Sequence, residues 1–236
     1  MSKAAKITAV VVLVLGVLLG VTDRVAAHYA EQEVGKQVAA GLAARQVTSA
    51  PPEVTITGYP FLLQVMRGNY DEIRLDLRDV VVGKLPIPLL RVKAYDVRAT
   101  VAGVMDGSEK VIATKVDGVG TLSYSALVEA SGLENVTLSG DGDELRISGN
   151  VPIAGVVNGA AKVTVVQGKV RIEVTELTAV TASAGTQQIL NQLADRLGAV
   201  TFSLPEMPFQ LKLVGVTPRI GGLDVAMTAN EVELTS

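Results

Sequence analysis

The sequence predicts an α+β fold in which a long, curved antiparallel β-sheet is wrapped around a long N-terminal helix, with one or two further helices. Three observations carry the prediction. From residue 53 onward, apolar residues recur with a period of two, as half-buried antiparallel strands require. Residues 25–46 lack proline, are rich in alanine, and place Val34, Val38 and Leu42 at helical spacing, with Ala27 and Ala30 near that stripe. The elements follow one another as helix, strands, short helix, strands, helix, strands, which is not the alternation of a parallel βαβ sheet.

The chain has 236 residues, 21 basic and 24 acidic, for a net charge of −3. Apolar residues make up 48% and aromatic residues 3%, so the core is built from Val, Leu, Ile and Ala, punctuated by 23 Gly. The absence of cysteine removes disulfides, thiolate nucleophiles and thiolate metal sites, and one histidine allows no histidine cluster. An acidic chain with few stacking rings is unsuited to nucleic acid. Neither a cofactor nor a metal site is expected. Asp141-Gly142-Asp143-Glu144 lacks the spacing of a calcium loop and reads as a hairpin turn. Asp106-Gly107 and Asp117-Gly118 read as turns by the same logic.

At the N-terminus, Lys3 and Lys6 precede an uncharged run from Ile7 to Thr22, closed by Asp23 and Arg24. Sixteen helical residues span about 24 Å, short of a hydrocarbon core of about 30 Å. Val25-Ala26-Ala27 offers small residues for a cleavage site before His28. Residues 1–27 are therefore a signal peptide or an uncleaved membrane anchor. Either way residues 28–236, expected to form one domain, lie outside the cytoplasmic membrane in a periplasm-like space, because the positive charges come first.

The helix over 25–46 ends before Pro51-Pro52. Its thin apolar stripe needs a broad, close-fitting cover such as a sheet. The strands that follow show Ile73, Leu75 and Leu77 alternating with charged residues, as do Leu145 and Ile147, Val163 and Val165, Val170, Ile172 and Val174, Leu211 and Leu213, Leu223, Val225 and Met227, and Val232 and Leu234. Gly140–Asp143 and Gln167-Gly168 read as hairpin turns. A short helix is expected over Ala126–Ala130, capped by Ser123 or Ser125, and another over Gly185–Leu197.

Residues 58–73 break the strand pattern. Phe61, Leu62, Leu63, Val65 and Met66 are nearly consecutive and cannot all face one side of a half-buried strand, so either both faces are buried or one meets an apolar guest. Phe61, Leu63, Val65 and Met66 are the first candidate wall of a slot for such a guest. Phe202, Leu204, Met207 and Phe209, interrupted by two prolines, are the second. Leu85–Leu90, with its two prolines, reads as a membrane-touching loop or a sheet corner. Arg67, Arg91 and Lys93 lie near these apolar segments in sequence and are candidates for an anionic group at the mouth of the slot.

Gly58, Pro60, Phe61, Leu62, Gln64, Gly68, Tyr70, Asp71 and Ile73 together resemble the conserved segment of the actinobacterial LmeA-like (lipomannan elongation factor A) envelope proteins. Val119–Leu127 is a second similar stretch. The resemblance implies a tubular, BPI-like lipid-binding fold with an apolar groove. It also implies binding of a phosphoinositide or related glycolipid, support of envelope glycolipid assembly beside an envelope glycosyltransferase, and no catalytic residues. Two rivals are a scaffolding protein of the envelope whose groove is filled by its own side chains, and a glycan hydrolase working with two facing carboxyls.

Overall fold

The computed structural model describes residues 3–44, 46–82, 85–100, 110–131, 135–151, 155–179, 199–202 and 211–233. Its helices are α1 (Lys3–Ala44), α2 (Phe61–Arg67) and α3 (Tyr124–Ser131). Its strands are β1 (Glu53–Thr57), β2 (Asn69–Val82), β3 (Leu85–Arg98), β4 (Ile112–Leu122), β5 (Val136–Asp141), β6 (Glu144–Val151), β7 (Gly155–Val166), β8 (Lys169–Ala179), β9 (Ala199–Phe202), β10 (Lys212–Arg219) and β11 (Gly222–Glu233). They form a six-stranded sheet, β1-β2-β3-β4-β11-β10, and a five-stranded sheet, β5-β6-β7-β8-β9, in which every pairing is antiparallel. The α+β class and the long N-terminal helix agree with the sequence. The helix expected over Gly185–Leu197 lies outside the described residues.

α1 is one unbroken helix of 42 residues, where the sequence pattern separates an export segment from an amphipathic helix. No proline or glycine pair intervenes at Asp23-Arg24, so nothing stops the backbone ladder there. Its two parts meet different surroundings. Residues 12–19 are all exposed, whereas Asp23, Ala27 and Gly35 are buried. The boundary between residues 27 and 28 thus falls within a packed stretch of helix. Ala27, 2% exposed, joins Ile56, Phe61, Tyr70, Val97, Ala113, Val116 and Val232 in one core cluster. A cluster that draws on α1, α2 and five strands of one sheet requires that sheet to bend over the helix.

The bending has a backbone cause. Asp79, Asp96 and Glu231 take left-handed φ angles of 52°, 48° and 51° inside or at the end of long strands. Asp96 and Glu231 flank Thr114 from the two neighbouring strands, and regular register resumes on either side of that row. Irregular residues of this kind interrupt pairing and turn the strand.

The segment expected as a membrane-touching loop or sheet corner, and the turn expected at Asp117-Gly118, lie in strands instead. Leu85–Leu90 opens β3. Residues 85–88 pair only with β2, and pairing with β4 begins at Leu89, so Pro86 and Pro88 sit where the sheet locally has an edge and no ladder donor is missed. Asp117-Gly118 lies in mid-β4, where the Asp117 carboxylate accepts hydrogen bonds from Lys115 Nζ and Thr228 Oγ1, both at 2.7 Å. The expected turns at Gly142-Asp143 and Gln167-Gly168 are hairpins. The short helix forms as α3, with Ser123 Oγ accepting from the Ala126 N–H at 3.3 Å.

The second sheet packs on the β10–β11 end of the first. Tyr124, Leu145, Ala161, Val163 and Val170 meet Leu213, Leu223 and Val225 in a second core. Tyr124 pins this junction: its hydroxyl donates to the Arg219 carbonyl at 2.8 Å and accepts from the Arg219 N–H at 3.2 Å.

Candidate functional site: a clasp and a cleft along the first helix

The apolar run that defeats a strand reading folds as a helix. Seven residues at 3.6 per turn separate the run into two faces. Phe61 and Gln64 are buried and Val65 is half-buried, while Leu62, Leu63 and Met66 point outward. Phe61 lies against Tyr70, with ring centroids 6.3 Å apart. Burial pushes the Tyr70 hydroxyl above its ordinary pKa, so the ring stays neutral in this core.

Most of the residues that carry the family resemblance hold this short helix in place. The Gln64 side chain, buried, donates from Nε2 to the Thr57 carbonyl at 3.1 Å and accepts from the Asp71 N–H at 2.8 Å, so it ties β1 to β2 beneath α2. Gly58, at φ 98°, lets the backbone pass this amide: a Cβ there would sit 2.6 Å from both Gln64 Nε2 and Asp71 Oδ2. Gly68 closes α2 in the left-handed conformation at φ 63°. Its carbonyl accepts from the Ala99 N–H at 3.0 Å.

α1 grips this unit from the other side. Asp23, 2% exposed, accepts the Leu62 N–H at 2.8 Å across 39 residues of sequence. It thereby satisfies a free donor of the α2 N-terminus, which Pro60 leaves without a side-chain cap. Arg24 donates to the Gly58 carbonyl at 3.1 Å and to Asp23 Oδ2 at 3.2 Å, and its guanidinium carbon lies 5.7 Å from the Tyr59 ring centroid. One turn earlier, a Cβ at Gly20 would sit 3.5 Å from the Tyr59 hydroxyl.

Beyond the clasp, α1 runs along the edge strand β1. Glu31 Oε1 accepts the Ile56 N–H at 2.9 Å, which occupies a donor that the sheet edge leaves free. The chain after α1 forms a strap, bonded to the end of β2 through Ala50 N–H to the Arg78 carbonyl at 2.8 Å and Val81 N–H to the Thr48 carbonyl at 2.9 Å. Between α1 and this strap lies a cleft of about 1050 Å³. Ala39, Leu42, Ala43, Val47, Pro51, Pro52 and Val54 line it with carbon, and His28, Glu31 and Lys36 stand along its α1 wall. That volume is at the upper end for a small-molecule site. A shallower hollow of about 530 Å³, lined by Val17, Gly20, Val21, Arg24, Val25 and His28, shares His28 with it.

The structure distributes the sequence candidates unevenly. Phe61 and Val65 serve the core; Leu63 and Met66 are exposed beside the clasp; none of the four lines the cleft. Arg67 is exposed in the last turn of α2. Arg91 and Lys93 are exposed on β3, opposite Asp76 and Arg74 in register, and away from the cleft lining. Phe202 ends β9, and its side chain lies outside the described residues together with Leu204, Met207 and Phe209. The cleft residues Gly35, Ala39 and Leu42 went unnamed as a site in the sequence, although Leu42 is part of the stripe that asked for a cover. The cover is incomplete, and the cleft is the part left over.

Among curated proteins and among solved structures, none matches this chain. A family model, described as LmeA-like phospholipid-binding, matches residues 21–228. The match begins two residues before Asp23, takes in the clasp, the cleft and all eleven strands but the last five residues of β11, and agrees with the motif centred on α2. The chain belongs to the LmeA-like phospholipid-binding family.

Proposed function

We propose that this protein holds a phospholipid by its acyl chains in the cleft between α1 and the 47–54 strap, on the outer side of the cytoplasmic membrane. The observation that carries the reading is a carbon-lined cleft of about 1050 Å³ in a chain of a phospholipid-binding family. Each acyl methylene taken from water contributes about 0.8 kcal/mol, so ten in the cleft contribute about 8 kcal/mol before the cost of immobilising the chain. Lys36 gives the α1 wall a cation, already paired with Glu33 at 3.2 Å.

The finer elements of the proposal are as follows. The lipid is a phosphoinositide or a related glycolipid, and the protein presents it during envelope glycolipid assembly to a neighbouring glycosyltransferase, without catalysing a reaction itself. Leu63 and Met66, together with Phe202, Leu204, Met207 and Phe209, contact the lipid as it enters, supported from below by Phe61 and Val65. Arg67, Arg91 and Lys93 are the candidates for its headgroup.

Photoactivatable phosphatidylinositol, carrying a diazirine on one acyl chain and added to the full chain in mixed micelles, tests the reading. Crosslinks are expected on peptides covering residues 35–54. Ala39→Trp places an indole in the cleft and is expected to reduce those crosslinks about tenfold, the equivalent of nearly two excluded methylenes. Crosslinks confined to Ile7–Thr22, or unchanged in Ala39→Trp, would overturn it and leave a scaffolding role.

A further inference from the structure

Around the clasp, several large apolar side chains are exposed on α2 and on the residue before its Pro60. Met66 is 83% exposed, Tyr59 69%, Leu62 39% and Leu63 38%. Through the Leu62–Asp23 and Arg24–Gly58 hydrogen bonds and the Tyr59–Gly20 approach, they are held at the end of the exposed apolar part of α1, where Val17 and Val21 are also exposed. Scattered exposed apolar residues need no explanation, but a group of them tethered to a helix segment exposed throughout residues 12–19 does. Lys3 and Lys6 bound that helix on one side and Arg24 on the other, which is the pattern of a span with cations at both interfaces. Tyr59 stands at the level of Gly20, where an amphipathic ring belongs at a bilayer surface.

From this juxtaposition we infer that α1 is retained as a membrane anchor and that α2 is a foot: Tyr59, Leu62, Leu63 and Met66 lie in the outer headgroup region of the bilayer that Ile7–Thr22 crosses. The clasp fixes the geometry. Because Asp23 accepts from Leu62 and Arg24 from one side holds Gly58 and Tyr59, the foot cannot leave the level at which the helix emerges. Cutting after Ala27 would remove both clasp residues and a buried core residue, so the folded body is built to keep them. The cleft then starts at His28, one turn above the surface.

The test uses the full chain in vesicles of phosphatidylcholine and phosphatidylglycerol containing a lipid with a nitroxide near its headgroup. The chain has no native cysteine, so Leu63→Cys and Met66→Cys take a single bimane label, with Ile220→Cys, 93% exposed at the β10–β11 turn, as reference. Labels at 63 and 66 are expected to lose fluorescence at least about threefold more than the label at 220. The same loss is expected in an Ala39→Trp background, which separates bilayer contact from a lipid in the cleft. Equal quenching at 66 and 220, or quenching abolished by Ala39→Trp, overturns the proposal. Intact mass of the chain extracted from its own membranes is expected to include residues 1–27; a chain beginning at His28 also overturns it.

Discussion

Gly140→Ala is expected to lower the unfolding midpoint by about 6–12 °C, the equivalent of about 3 kcal/mol for a chain of this size. Gly140 lies in β5 where the second sheet meets the end of β10. A Cβ there would sit 2.6 Å from the Tyr124 hydroxyl and closer still to the Arg219 carbonyl oxygen. Neither neighbour is a flexible side-chain tip. The carbonyl is backbone, and the hydroxyl is held by two hydrogen bonds to Arg219. The methyl therefore separates β5 from β10 or rotates Tyr124 out, which leaves the Arg219 N–H and carbonyl without their partner. Differential scanning calorimetry measures the shift. A midpoint within 1–2 °C of the parent, on the scale of about 0.5 kcal/mol, would show that the two sheets do not touch at this point.

Gln64→Leu is the second large effect. Leucine has a similar volume and satisfies neither the Thr57 carbonyl nor the Asp71 N–H, both of which face the buried amide. Two orphaned backbone groups cost about 1–3 kcal/mol each when water cannot reach them, so a loss of about 2–6 kcal/mol is expected. Gln64→Glu keeps the acceptor for Asp71 and loses the donor for Thr57, and is expected to fall between parent and Gln64→Leu. Hydrogen exchange of the Asp71 amide reads the effect locally: protection should drop in Gln64→Leu and survive in Gln64→Glu. Unchanged protection in Gln64→Leu would remove Gln64 from the tie between β1 and β2.

These two positions show what the sequence reveals and what it hides. The strands were legible because a half-buried antiparallel strand writes its two faces into alternate residues, as Ile73, Leu75 and Leu77 do in β2. β3 is hidden in the sequence, since Pro86 and Pro88 at its opening mimic a loop unless the missing β4 neighbour is known. α2 was hidden because seven residues are two turns, too few for a helical period to stand out, and because its inward face carries a glutamine. Within the resemblance, Gly58, Gln64 and Gly68 mark a shape rather than a ligand. They make the α2 turn possible, and Phe61 fills the space beneath it. The cleft was hidden for a different reason. Ala39 and Leu42 look like any helix stripe, and only the path of the 47–54 strap, which no local pattern encodes, decides that this stripe stays partly open.

From Arg24 to Ala44, α1 rises about 30 Å with no hinge, and it enters the protein body as part of its core. Such a stalk sets a height and an orientation, where a flexible linker would set only a radius. With α1 retained as the anchor inferred above, a body mounted this way would be unable to travel to a distant membrane with a bound lipid or to turn over and release it. On that inference it would serve whatever stands next to it in the same bilayer, at a fixed elevation, and exchange would depend on sideways encounters within that plane.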